Sequence, residues 1–246
     1  MDIDDLNNDN ALENLKEFLD SSMSEHLHIL EDEIDLSVQM EYFDISKNVK
    51  EDLQSASIIE QKENLFDAAI SLEDKKILLS RLASVNSVDA LRTIEKYAAN
   101  PDKKLKDWSK LAYHESRMLI ESKLLDENQI FISTGLGGKN NKLRYFFVML
   151  PNKNIFTGLQ KDIIAKEFNY IFEKNQSVIE ELTYYENYIT LMTLIPIEAS
   201  IKDIFLSAVQ ECNQFGDFIN ERFIVTNVKR LKEKEIMEIV SKKEDQ

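Results

Sequence analysis

The hydrophobic pattern changes its period once, across residues 129–151, and this change constrains the fold more than any other feature. Before it, apolar residues recur at the three- and four-residue spacing of amphipathic helices. After it, short apolar runs typical of strands alternate with further helical patterns. The stretch itself, QIFISTGLGGKNNKLRYFFVMLP, predicts strands at 129–133 and 143–150 around a glycine-rich turn. We therefore expect an α+β chain made of two differently built parts.

The first part is predicted to be helical from residue 49 to residue 125. Successive apolar series are separated by turn signals, of which Asn100-Pro101-Asp102 is the strongest because proline ends a helix. Further upstream, after a polar segment at 1–10 that we expect to be disordered, residues 11–19 predict a short amphipathic helix. Residues 26–42 predict another helix or, alternatively, a segment that folds only on a partner. Each helix has one apolar face and needs neighbours to bury it.

Within this part, residues 87–120 resemble a HEAT-type helical repeat. The resemblance covers about one and a half repeats, and Trp108 and Tyr113 stand where smaller residues are usual. It implies a helical interaction scaffold rather than a chemistry. The matching features are Asp89-Ala90-Leu91 in the first helix, the turn Asn100-Pro101-Asp102, and Leu105, Trp108, Leu111 and Ala112 in the second helix.

The second part predicts the element order of a ferredoxin-like domain, β-α-β-β-α-β. Its elements are expected at 143–150, 159–174, 178–185, 188–195, 201–215 and 222–228, followed by a charged helix at 232–240. The strand at 129–133 is expected to pair with the first of these as an extra N-terminal hairpin strand. The predicted organisation is an acidic, partly disordered or helical segment at 1–45, a HEAT-like unit at 46–127 and a ferredoxin-like domain at 128–246.

Acidic charge is concentrated at one end of the chain. Residues 1–60 contain 17 Asp and Glu but only three Lys, a net charge of −14, whereas the whole chain carries −15. An acidic surface repels nucleic acid phosphates and membrane surfaces and can attract a basic partner. We therefore predict a protein partner, basic in character, that binds the acidic N-terminal part. The alternative is a solvated acidic face without a partner.

The remaining composition predicts a soluble cytoplasmic protein. The single cysteine, Cys212, excludes an internal disulfide framework. No apolar run reaches the roughly 20 residues that span a bilayer, and the acidic N-terminus does not resemble a secretory signal. Richness in Asn, Lys, Ile and Glu is typical of an AT-rich bacterial genome.

The glycine-rich turn is the candidate ligand site, because backbone N–H groups freed by glycine can form an anion-binding nest. It departs from the Walker A pattern, since Lys139 is followed by Asn140 and the turn leads into a strand. The alternative is a mobile hairpin turn that uses glycine for positive φ. The candidate residues are Gly135, Gly137, Gly138, Lys139, Lys142 and Arg144; the first three are glycines in a chain that has only five.

The spacing or the sequence context of the residues argues against the other candidate sites. His26 and His28 would point apart on a helix, and His114 lies in no HExxH motif, so we predict no metal site. Cys212 lacks a CxxC partner and is expected to be a small buried residue rather than a nucleophile. Tyr145, Phe147 and Tyr188 could stack RNA bases on a sheet, but aromatic residues under helices usually belong to the core.

With no catalytic or metal signature in the sequence, we predict a non-enzymatic interaction or adaptor protein of an intracellular bacterial complex. The alternative is a regulatory domain that senses a small ligand or phosphate through the glycine-rich turn. A third option is an enzyme built from polar residues that the pattern does not single out. We expect no cofactor, no nucleic acid and no membrane, and we predict a homodimer through the C-terminal sheet.

Overall fold

The computed structural model describes residues 27–50, 55–127, 129–153 and 155–244. The chain divides into two compact units. In described residues, the helical unit contains 27–30 and 34–132, and the α+β unit contains 31–33 and 133–244, apart from the gaps given above. The predicted segments 1–10 and 11–19 lie outside the described residues.

The helical unit consists of packed amphipathic helices and one small sheet. Ser71 caps the third helix by accepting a hydrogen bond from Asp74 N, which satisfies one of the free N–H groups at a helix start. Trp108, Leu79, Leu82 and Ile94 are among the buried residues of its core. The helices are α1 Leu36–Lys50, α2 Ser55–Glu60, α3 Leu72–Ala83, α4 Val88–Ala99 and α5 Lys106–Leu125, with 3-10 turns at Lys62–Phe66 and Lys103–Leu105.

Two predictions about this unit differ from the structure. Of the helix expected at 26–42, residues 36–42 are helical as the start of α1, whereas Leu27–Ile29 form a strand, β1, and residue 26 lies outside the described residues. The strand expected at 129–133, β2 Ile130–Ile132, does not form a hairpin with the next strand but pairs in parallel with β1. The pairing of β2 was not predicted because its partner is distant in the chain. β2 is a three-residue apolar strand, and β1 lies roughly one hundred residues earlier, a separation that local periodicity cannot reveal.

The α+β unit is built on an antiparallel sheet, and the protein is therefore a mixed α+β structure. In the described part of this sheet, β4 is central, with β7 on one side and β6 then β5 on the other, and the short β3 pairs with the start of β4. The elements are β3 Gly138–Lys139, β4 Lys142–Pro151, α6 Gly158–Lys174, β5 Val178–Tyr184, β6 Ile189–Pro196, α7 Ile201–Asn213, β7 Ile219–Thr226 and α8 Glu233–Glu244.

Both faces of this sheet are covered. On one face, Phe147 of β4 stacks on Phe205 of α7 with ring centroids 5.0 Å apart, and Phe223 of β7 approaches the same ring to 4.0 Å. On the other face, Ile236 of α8 is buried against a cluster that includes Phe146. Alternate residues of β4 thus point into two apolar layers, as strand geometry requires. Among the described residues, no helix combines the length and apolar content needed to cross a bilayer.

Candidate functional site

The glycine-rich turn ends in a tight hairpin between β3 and β4. Lys139 and Lys142 are the last paired residues, and Asn140 and Asn141 form the two-residue connection. Both asparagines have positive φ, 51° and 59°, which is the conformation of a type I′ turn and one that asparagine tolerates better than most residues. The hairpin therefore holds two lysines opposite each other beside an exposed asparagine tip.

Two of the candidate glycines are needed for close backbone contacts. A Cβ atom on Gly135 would lie 1.7 Å from the carbonyl oxygen of Val228, and one on Gly137 would lie 2.6 Å from the carbonyl oxygens of Glu31 and Asp32. Gly137 also has a φ of +67°, which side chains disfavour. The N–H of residue 137 donates to Thr134 O. These glycines accordingly admit neighbouring backbone, a role that the sequence pattern does not distinguish from an anion nest.

Arg144, another candidate, is bound on three sides by groups of the α+β unit. Its Nε and Nη2 donate to the two carboxylate oxygens of Glu180 at 2.5 and 3.2 Å, and its Nη1 donates to Leu136 O at 2.7 Å. The hydrogen bond that Arg144 donates to Glu180 raises the pKa of Arg144, against an opposing effect of burial. A planar guanidinium paired in this way fixes the hairpin base against β5. Arg144 is therefore chiefly a positioning residue for the turn.

A second basic stretch follows β7. Four of the six residues 229–234 are Lys or Arg. Lys229 pairs with Glu235, while Arg230 donates to Glu181 at 2.6 Å and lies 3.8 Å from Glu33. The side chain of Lys234 is 89% exposed, and its Nζ lies 3.9 Å from the Oε1 of Glu238, a loose ion pair. These are surface ion pairs of low individual strength, which salt or a polyanion can replace.

The two basic stretches meet at their bases. Leu136 N donates to Asn227 O at 3.0 Å, and residue 135 touches the backbone of Val228. The hairpin lysines and the 229–234 segment consequently emerge from one edge of the α+β unit. We call this surface the basic edge and define it by Lys139, Lys142, Lys229, Arg230, Lys232 and Lys234.

The aromatic residues considered for base stacking lie in the core. Phe147 is fully buried, and Tyr145 and Tyr188 are 9% and 4% exposed. Burial raises the pKa of Tyr145 to about 12. None of these three rings offers an open face on which a base could stack.

The histidines and the cysteine have structural surroundings. His28 Nε2 lies 3.0 Å from Gln129 Oε1 and 3.4 Å from a Glu121 carboxylate oxygen, whereas His114 faces the Phe131 ring; His26 lies outside the described residues. In the part of the chain that the structure describes, no three His, Cys, Asp or Glu side chains come together as a metal site would require. Cys212 is fully buried in α7, and burial raises the pKa of its thiol to about 12.

Comparison with known proteins gives structural neighbours only. No family model matches the chain, and no curated protein matches it. Among solved structures, a candidate transposase from Deinococcus radiodurans R1 is 15% identical, with 44% of this chain and 94% of that chain covered and a TM-score of 0.34. A REP-associated tyrosine transposase bound to a REP hairpin is 8% identical, with 40% and 63% covered and a TM-score of 0.33.

Against these two structures, several predictions from the sequence are wrong. They are the adaptor function with its protein–protein role, the absence of enzymatic activity, and the exclusion of nucleic acid as a partner, because both neighbours are transposases and one is bound to a REP hairpin. At TM-scores of 0.34 and 0.33 the similarity assigns no activity to this chain. Any function has to be argued from its own residues.

Sequence reasoning missed four of the six residues of the basic edge, those of the segment 229–234. The prediction of a charged helix at 232–240 assigns no binding role to the segment 229–234, although its density of Lys and Arg is plain in the sequence. Its proximity to the hairpin lysines depends on β7 pairing with β4, so no local pattern could have joined the two stretches.

Proposed function

We propose that the α+β unit binds nucleic acid and holds its phosphate backbone at the basic edge. The observation that supports this most directly is the backbone hydrogen bond from Leu136 N to Asn227 O, which holds together the bases of the two lysine-rich segments. Lys and Arg that neutralise phosphates release condensed counterions, and this release supplies most of the non-specific affinity for nucleic acid. The six side chains of the basic edge are of the required type.

Binding at this edge is expected to depend on phosphates rather than bases. The sheet faces that could present stacking rings are occupied by α6, α7 and α8, and Phe147 and Phe146 point into those layers. Phosphate contacts position a protein on nucleic acid but carry no sequence information themselves. The proposal therefore predicts weak sequence preference and a steep dependence on salt.

The charge of the whole chain does not oppose this proposal as strongly as its total suggests. Residues 133–246 contain 15 Lys and Arg and 16 Asp and Glu, so this region is close to neutral. Interactions between exposed charges decay over about 8 Å at physiological ionic strength. A polyanion at the basic edge is consequently governed by the charges within that distance.

The finer fold assignment is part of the same proposal. The strand order β7-β4-β6-β5 and the element order β-α-β-β-α-β support a ferredoxin-like arrangement for the α+β unit. That arrangement hosts many functions, so it does not itself select nucleic acid. The HEAT-like packing of residues 87–120 and the boundaries at 45/46 and 127/128 stay predictions.

A titration with labelled oligonucleotides tests the proposal. Fluorescence anisotropy of single-stranded, duplex and hairpin DNA is measured with the full chain and with the Lys139→Ala/Lys232→Ala variant at several salt concentrations. Because two phosphate contacts are removed, we expect weaker binding and a plot of log K against log salt that is shallower by about 1.4 to 1.8.

A matched control removes the same charge from the helical unit. Lys103→Ala/Lys104→Ala changes two exposed lysines and is expected to leave both the affinity and the salt slope within error of wild type. Absence of binding to all three oligonucleotides, or an equal loss in the two variants, would refute the proposal.

A further inference from the structure

An acidic strap, defined as residues 31–33 (Glu31, Asp32 and Glu33), lies against the basic edge of the α+β unit. Arg144 Nη1 is 3.4 Å from Glu31 O, and the Arg230 Nε is 3.8 Å from a Glu33 carboxylate oxygen. The strap backbone also fits so closely over Gly137 that no Cβ could be accommodated there. These contacts place an acidic tripeptide beside Arg144 and beside Arg230, the second of which belongs to the basic edge.

The electrostatic effect of the strap reaches the neighbouring arginine. After the hydrogen bond that Arg144 donates to Glu180 and the opposing effect of burial, the charges of Glu33 and Glu31 further raise the pKa of Arg144. The side chains of Glu31 and Glu33 are both exposed to solvent. The carboxylates of Glu31 and Glu33 are therefore placed to repel a phosphate that approaches Arg144 or Arg230. Because both side chains are exposed, keeping them charged at this position costs little free energy.

Arg230 links the strap to the sheet. Its guanidinium lies between Glu33 and Glu181, with the shorter bond, 2.6 Å, to Glu181. Hydrogen bonding to Arg230 lowers the pKa of Glu181, so this pair is formed at neutral pH. The longer contact with Glu33 is the weaker of the two, and exchanging it for a phosphate would leave the bond to Glu181 intact.

We infer that the acidic strap is an autoinhibitory element that competes with nucleic acid phosphates for the basic edge. This inference rests on the proposed function. In the strap-bound state the carboxylates of Glu31 and Glu33 neutralise part of the edge, and in the nucleic acid-bound state phosphates replace them. Arg144 stays on Glu180 in both states and keeps the hairpin in place.

The test compares two double variants that remove the same charge. Glu31→Gln/Glu33→Gln neutralises the strap, whereas Asp162→Asn/Glu173→Gln neutralises two exposed residues of α6, which covers the sheet opposite α8. Anisotropy of a labelled single-stranded oligonucleotide at low salt is expected to show binding about three- to thirty-fold tighter for the strap variant, because it removes the ion pair of Glu33 with Arg230 and the repulsion of a phosphate by two exposed carboxylates. The α6 variant is expected to change far less, because screening weakens distant charges.

A second measurement follows the strap itself in the wild-type full chain. Hydrogen exchange at peptides covering residues 31–33 is expected to rise when saturating oligonucleotide is added, while exchange at 139–142 and 229–234 falls. Equal affinity gains in the two double variants, or unchanged exchange at 31–33 on binding, would overturn the autoinhibitory role and leave the proposed function standing. If neither wild type nor any variant binds oligonucleotide, the proposed function fails and the strap has nothing to inhibit.

Discussion

The two units place their charged groups differently. In the helical unit, a carboxylate lies between helices: Glu115 accepts hydrogen bonds from Tyr42 at 2.5 Å and from Ser46 at 2.8 Å, and Lys50 pairs with it at 2.6 Å. In the α+β unit, the core between sheet and helices is aromatic, and the described ion pairs lie at its edges. Glu115 is therefore part of the internal packing of the first unit, whereas Lys229, Arg230 and Lys234 of the second unit form ion pairs at its surface, where solvent ions can compete.

This difference can be measured because each unit contains its own probe. Trp108 is the single tryptophan of the chain, is 1% exposed and packs edge-on against Tyr42 in the helical unit. Cys212 is the single cysteine and is fully buried in the α+β unit. Tryptophan fluorescence therefore reports unfolding of the helical unit, and thiol labelling reports opening of the α+β unit.

The largest expected effect is loss of the buried carboxylate. Glu115→Ala leaves the fully buried Tyr42 and the buried Ser46 without their acceptor, and each orphaned group costs about 1 to 3 kcal/mol. We expect the helical unit to lose about 3 kcal/mol in free energy of unfolding. The urea midpoint of Trp108 fluorescence measures it, and Glu95→Ala, an exposed residue of α4, is the control.

The comparison predicts that Glu115→Ala leaves Cys212 as slow to react as in wild type. If thiol labelling accelerates in proportion to the fluorescence change, the two units unfold together and their charge patterns have no separate consequences. If Glu115→Ala matches Glu95→Ala, the hydrogen bonds from Tyr42 and Ser46 do not stabilise the helical unit.

The second effect is steric and belongs to the α+β unit. Gly135→Ala puts a methyl group 1.7 Å from Val228 O, so backbone must shift, at a cost of about 2 kcal/mol or more. We expect faster Cys212 labelling and an unchanged Trp108 midpoint. Gly158→Ala is the matched control, because a Cβ there meets nothing within 4 Å, and its effect should stay within about 0.5 kcal/mol. Equal labelling rates in the two alanine variants would contradict the contact.

Much of the α+β unit was predictable because its elements have strong local signals. Strong signals at helix starts, such as Ser200, which accepts a bond from Asp203 N, agree with the apolar periodicity that follows. The short β1 and β2 were not predictable in their pairing, because three-residue strands gain their stability from a partner that is distant in sequence. The predicted helix at 26–42 is wrong at Leu27–Ile29 for the same reason, whereas residues 36–42 are helical.

The candidate site was less predictable than the fold. A glycine that exposes its N–H to an anion and a glycine that makes room for neighbouring backbone look alike in sequence. Only the distances from an added Cβ at Gly135 and Gly137 to neighbouring backbone identify the second role. Lys139 and Lys142 were noticed as part of the turn, but their neighbours in space come from beyond β7. The acidic residues 31–33 were counted as part of an acidic end, although they lie on the basic edge.

The smallest expected effect is a pH dependence within the helical unit. Asp102 accepts hydrogen bonds from Tyr97 at 2.7 Å and from the buried Lys75 at 2.9 Å, and these bonds lower the pKa of Asp102 below its ordinary value of 3.8. A carboxyl whose pKa is lowered by folding stabilises the protein above its unfolded pKa and loses that contribution as the pH falls through the folded value. Asp102→Asn should therefore cost about 1 kcal/mol near pH 7.

The direction in which the stability difference changes with pH distinguishes the contribution of Asp102 from a general destabilisation of the protein by acid. The difference in Trp108 midpoint between wild type and Asp102→Asn is expected to be constant from about pH 7 to about pH 5 and to shrink below pH 3.8, where the unfolded carboxyl is protonated. Glu95→Gln, which removes an exposed carboxylate of α4, should show no such change. A midpoint difference between wild type and Asp102→Asn that grows as the pH falls would mean that folding favours the neutral form of Asp102. The charged hydrogen bonds of the helical unit would then not be the stabilising feature that separates it from the α+β unit.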